Sequence, residues 1–117
     1  MGTAADLSQE CRVIRASGEL DILTAPLLSG DLARAQRGAQ IPYVVVDLTQ
    51  VTFMDCSALG PLCVARATCL DRSGWLRLVY VGRSIGLLLR IVDLTGVFPR
   101  YATVDAARQG VVSASPR

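Results

Sequence analysis

The sequence predicts an α/β layer fold built on a mostly parallel sheet. Two runs, residues 42–48 (PYVVVDL) and 75–81 (WLRLVYV), are apolar or β-branched nearly throughout, as strands covered on both faces are. Stretches with helical apolar spacing stand between and after them. Strands that alternate with short helices pair in parallel, because each helix returns the chain to the starting edge of the next strand.

Residues 11–17 (CRVIRAS) alternate apolar and polar and read as a half-buried first strand, which Gly18 to Asp21 then breaks. Thr24 is a candidate N-cap, with Pro26 in the first helical turn. Leu27, Leu28, Leu32, Ala35 and Gln36 then trace one helical face, ending near Arg37-Gly38. The run at 42–48 is the second strand. Residues 52–57 (TFMDCS) lead into a second helix with apolar positions Leu59, Leu62, Cys63 and Leu70, closing near Ser73-Gly74. Pro61 falls in its expected first turns; lacking an N–H, it either kinks the helix or delays its regular start. The run at 75–81 is the third strand. Residues 84–93 (SIGLLLRIVD) form a short apolar helix stopped before Gly96, with Leu87 to Leu89 facing the core. Residues 97–103 are a last strand and 104–109 a last helical turn or more.

The chain has 117 residues, of which 51% are hydrophobic and 19% charged, enough for one self-sufficient core and too apolar for disorder. We expect a single domain over 1–117, its core spanning about 9–110 and both ends flexible. The net charge of +2 comes from scattered arginines with little aromatic interleaving, so a nucleic-acid groove is not expected. Residues 1–10 hold no apolar signal-peptide core, and no apolar run approaches about 18 residues, so we expect no membrane span and a cytoplasmic protein. A monomer or weak dimer fits this surface.

The missing residue types exclude chemistries. With no His there is no imidazole base, no His metal ligand and no Ser-His-Asp triad. With no Lys there is neither a Schiff base nor a P-loop lysine. The cysteines at 11, 56, 63 and 69 form no C-x-x-C pair, so zinc is not expected; no cofactor or metal is implied. A C-x5-R phosphatase loop is also absent, since Leu62 stands where the arginine belongs. Cys63, Cys69 and Cys11 read as core thiols. Asp47 and Asp55 read as turn caps rather than an acid–base pair, because no pocket motif accompanies them. Parallel sheets place functional loops at the carboxyl ends of their strands. Here those loops are residues 47–57 and 82–84, which singles out Asp55-Cys56-Ser57.

Three segments then match one family in order: Ser17-Gly18-Glu19-Leu20-Asp21, the run Val44 to Thr49 continued by Val51 to Asp55, and Leu94-Thr95-Gly96-Val97-Phe98. Together they resemble the STAS domain family, specifically its small stand-alone bacterial anti-sigma factor antagonists. The resemblance implies a sheet of about four to five strands with about four short helices packed mainly on one face. It implies a binding switch and no enzyme. Such proteins bind an anti-sigma factor, usually a serine kinase that carries the ATP, and so release a sigma factor for transcription. The family's motif is Asp-Ser/Thr-Ser/Thr-Gly-Leu, with phosphate on the residue after Asp. Here the stretch is Asp55-Cys56-Ser57-Ala58-Leu59, so Cys56 occupies the phosphoacceptor position. The implied partner surface is Asp21, Asp55, Cys56, Ser57, Ala58 and Leu59. Ser57 is a neighbouring hydroxyl one residue along; it is either a replacement phosphoacceptor or, in its plain reading, a helix cap. Cys56 is either a small replacement for Ser or a thiol whose oxidation imitates the bulk of a phosphate. A STAS subunit of a membrane transport or stress-sensing complex is the alternative function.

Overall fold

Val44, Val45 and Val46 expose none of their surface, and they sit in strand β2 (Tyr43–Met54). This computed structural model describes residues 11–113. The expectations for residues 1–10 and for flexible ends lie outside the described residues. Among the described residues four parallel strands lie side by side in chain order: β1 (Arg12–Leu20), β2, β3 (Trp75–Val79) and β4 (Arg100–Tyr101). Helices α1 (Ala25–Gln36), α2 (Leu59–Asp71) and α3 (Arg83–Ile91) connect them, and α4 (Val104–Gln109) follows β4. A parallel sheet that always grows towards the same edge, with crossovers of one hand, sends every crossover helix to the same face. Leu28 and Leu32 of α1, Leu62, Ala65 and Cys69 of α2, and Ile85 and Leu89 of α3 accordingly share one core with Val44, Val46 and Leu78. The opposite face is covered by α4, whose Ala107 packs on Val45, Val79 and Tyr101.

Polar contacts lock these layers. Gln36 is buried, and its Nε2 donates to the Ala65 carbonyl (2.8 Å) and to Cys69 Sγ (3.2 Å), joining α1 to α2. Arg72 donates to the Gln36 carbonyl (3.0 Å) and to that of Ala39, supplying donors where α1 runs out of its own. On the far face the Arg77 guanidinium lies 3.8 Å from the Trp75 ring centroid and donates to the Ala107 carbonyl (2.8 Å), tying α4 down.

Several boundaries differ from the sequence reading. The first strand does not break at Gly18 but runs on to Leu20, with pairing shifts around Ala16 and between Gly18 and Glu19. Gly18 absorbs the second shift in the left-handed region (φ 73°), where a side chain would be strained. β2 continues six residues past Leu48, so Asp47 lies inside a strand rather than in a loop. β3 stops at Val79, and the last strand shrinks to two residues. Leu27, Leu70 and Leu87 are exposed, not core. Leu27 shares its helical stripe with Asp31 and Arg34, which form an ion pair; a solvated stripe was therefore readable one step from the apolar one. Thr24 precedes α1 as expected, yet its hydroxyl makes no cap bond to the helix.

Candidate functional site

The ends of β1 and β2 lie beside each other, and both acidic turns start there. Leu20 pairs with Met54, and the Asp55 N–H donates to the Leu20 carbonyl at 3.0 Å, extending the ladder by one bond. Beyond that bond each strand enters a turn held by its own aspartate. Asp21 Oδ1 accepts from the N–H groups of Leu23 (2.9 Å) and Thr24 (3.2 Å). The Thr24 hydroxyl closes the loop from the other side: it accepts from the Asp21 N–H and donates to the Glu19 carbonyl, each at 2.9 Å. This fixed turn leaves Ile22 and Leu23 76% and 83% exposed.

Asp55 is extended (φ −115°, ψ −175°) and caps the turn after it. Its Oδ1 accepts from the Ser57 N–H at 2.8 Å and from the Ser57 hydroxyl at 2.5 Å. Residues Cys56–Ala58 form a 3-10 turn, and the α-helix starts only at Leu59. Pro61 thus delays the regular start rather than kinking the helix. As the third residue of α2 it falls in the turn whose N–H groups have no acceptor within the helix.

The predicted site residues divide into two groups. Asp21, Asp55, Cys56 and Ser57 come together at this end of the sheet, with Cys56 exposed and Ser57 half-buried. Ala58 and Leu59 are buried in the main core, 0% and 6% exposed, so their side chains support the turn from beneath and do not form partner surface, which corrects the expectation for them. Asp47 stands eight strand residues before Asp55, roughly 25 Å at the usual rise, so the two carboxylates form no pair. Asp47 Oδ1 is instead taken up by the Thr49 N–H (2.9 Å) and hydroxyl (2.7 Å), with Arg15 beside its other oxygen. Sequence reasoning missed the apolar rim of the site: Ile22, Leu23, Leu27 and the 51% exposed Phe53. The available signal was Ile22-Leu23 sitting in the Asp21 turn, outside any helix or strand able to bury them.

The chain has no histidine, so the site holds no imidazole. Among the described residues no group of three or more Cys, Asp or Glu side chains is placed to hold a metal. No helix among them is long and apolar enough to cross a membrane. What the geometry offers is an acidic and apolar surface that includes an exposed thiol.

The sequence profile of the STAS domain matches residues 3–107. The chain belongs to the STAS domain family. This STAS domain is similar to an anti-sigma factor antagonist from Mycobacterium paratuberculosis at 29% identity, covering 85% of this chain and 83% of that one, with a TM-score of 0.73. It also resembles the anti-sigma factor antagonist SpoIIAA in its unphosphorylated form (23% identity, 85% and 86% covered, TM-score 0.60). A sulfate transporter family protein from Wolinella succinogenes shares the fold at 15% identity (86% and 84% covered, TM-score 0.70). No curated protein matches the chain. The four-strand parallel sheet with its helices is the fold of these relatives, and it bears out the α/β reading of the sequence.

The four thiols of this STAS domain differ in reach. Cys56 is exposed, Cys11 and Cys63 are half-buried, and Cys69 is fully buried. Burial pushes the Cys69 thiol up from its ordinary value, offset in part by the Gln36 hydrogen bond and the Arg72 charge. We expect Ellman's reagent to modify Cys56 first and Cys69 only as the fold opens, with mass spectrometry of the products giving the order. Cys69 modified as fast as Cys56 in native buffer would contradict this burial.

Proposed function

We propose that this STAS domain is an anti-sigma factor antagonist: it binds an anti-sigma factor and thereby frees a sigma factor for transcription. It acts as a cytoplasmic binding module with no chemistry of its own, and any ATP belongs to the partner. The observation that carries the reading is the pair of aspartate-held turns at the ends of β1 and β2. They present Asp21, Asp55 and Cys56 on one rigid surface, with Ile22 and Leu23 exposed beside them. A preformed surface with exposed apolar side chains suits tight docking, because little ordering remains to be done on binding. The Ser57 hydroxyl is half-buried and engaged by Asp55, so the accessible side chain at the head of the turn is Cys56, which cannot take a stable phosphoester. The module therefore stays competent to bind where a serine-bearing relative would be switched off.

The test is capture from the native lysate on immobilised protein, with mass spectrometry of the retained proteins. Wild-type protein is expected to retain an anti-sigma factor of the kinase type. Cys56→Glu places a charge where the surfaces meet and is expected to lower that retention about tenfold or more, with an unchanged melting temperature. Equal retention by Cys56→Glu would remove this surface from the reading. A second reading, a STAS subunit of a membrane transport assembly, is favoured by the missing acceptor hydroxyl at position 56. Retention of transporter subunits in place of an anti-sigma factor would put it first.

A further inference from the structure

A cavity of about 440 Å³ opens along α3; it is lined by Arg83, Ser84, Leu87 and Arg90 of the helix, by Thr95 from the loop after it and by the buried Tyr80. Its size is that of a small-molecule site. We propose that this cavity binds a small phosphomonoester.

The charge of the lining favours an anion. Arg83 and Arg90 both line the cavity, and neither side chain makes an ion pair or hydrogen bond among the described residues. Asp93, the acidic residue nearest to Arg90 in the chain, sits in a left-handed turn and forms no ion pair with it. Unpaired guanidinium groups seven residues apart on one helix face suit the planar, bidentate recognition of a phosphate.

Unmet donors point the same way. Gly82 caps α3 without a side chain, and the first turn holds no acidic residue. The N–H groups at Arg83 and Ser84 thus lack the side-chain acceptor that most helices supply. An oxyanion at this end of the cavity would draw on the exposed guanidinium groups, these N–H groups and the Ser84 hydroxyl. The remainder of the ligand would lie on Leu87, which is 48% exposed, and over Tyr80, whose hydroxyl is already spent on the Phe98 carbonyl (3.1 Å). Burial raises the Tyr80 phenol from its ordinary value, so it adds no negative charge to the floor at neutral pH.

The experiment is a titration of nitrogen-15-labelled full chain by two-dimensional NMR, with phenyl phosphate, inorganic phosphate and a short poly-glutamate peptide as separate probes. Phenyl phosphate is expected to shift the amides of Arg83, Ser84 and Thr95 saturably, and more tightly than inorganic phosphate because its ring reaches Leu87. Arg90→Gln is expected to weaken it about tenfold or more, the usual effect of deleting one charged hydrogen-bonding partner. Arg83→Gln should act alike; both side chains are exposed, so neither change threatens the fold. Shifts that fail to saturate, or equal affinity in wild type and Arg90→Gln, would overturn the proposal. So would saturation by poly-glutamate alone, which would make the cavity a protein-docking surface.

Discussion

Adding one methyl group at Gly74 is expected to cost the fold about 3 kcal/mol or more, although the position is remote from the candidate site. A Cβ built there would stand 1.9 Å from the Pro42 carbonyl oxygen and 2.7 Å from its carbon. Those atoms are backbone at the start of β2, so no side-chain rotation relieves the clash. The same Pro42 carbonyl accepts from the Trp75 N–H (3.1 Å), and the Gly74 N–H donates to the Cys69 carbonyl (2.7 Å). Moving either backbone apart would break the turn that ends α2 or the first rung between β2 and β3. The melting temperature of Gly74→Ala should fall by about 12 °C or more by thermal denaturation, given the usual proportionality for a domain of this size. Gly60→Ala is the matched control. Its Cβ would meet nothing within 4 Å, and alanine is the better helix former, so that variant should melt at or above wild type. An unchanged melting temperature in Gly74→Ala would contradict the close approach of the two backbones.

The second large effect is a gain of function. Cys56→Ser is expected to accept phosphate from an anti-sigma factor kinase and ATP, where wild-type protein accepts none at this turn. The substitution supplies a hydroxyl at the exposed position directly after the cap residue Asp55. The phosphate would bring about −1.5 to −2 charges onto a surface already carrying Asp21 and Asp55. Under the proposed function, the phosphorylated variant should then release the anti-sigma factor that wild-type protein is expected to retain. Intact-mass measurement after incubation reads the phosphate, and capture on immobilised partner reads the release. Phosphate on Ser57 of the wild-type chain would sink this expectation. It would mean that the kinase can pull Ser57 out of its 2.5 Å hydrogen bond with Asp55.

Much of this architecture is written in short-range signals. Val44-Val45-Val46 announces a strand buried on both faces, and Pro26 and Gly38 bracket α1 with little error. The two strands that run past their expected ends, β1 and β2, share one cause: pairing with a neighbouring strand overrode local propensity. Gly18 interrupts an alternating pattern, yet its neighbour β2 supplies hydrogen bonds past the interruption, so β1 continues. Asp47-Leu48-Thr49 looks like a strand end; the chain stays extended because Asp47 satisfies Thr49 locally while β1 holds the backbone alongside. At the candidate site, Asp55 and Cys56 were legible from their place after a strand. Leu59 stood among the apolar helical positions, and only the resemblance placed it on the partner surface; burial of Ala58 was not legible, because a 3-10 turn rotates side chains differently from the α-helical start that the spacing implied.

The order of the strands bears on how this chain is made. Each strand lies beside the one before it, so no late segment must be threaded between two early ones. As the chain leaves the ribosome from its N-terminus, β1 and β2 can join as soon as both have emerged with α1 between them, and every later strand docks on an edge that is already waiting. Assembly can therefore keep pace with synthesis, and the uncovered edge of the growing sheet is occupied by the next stretch of the same polypeptide before a foreign strand can claim it.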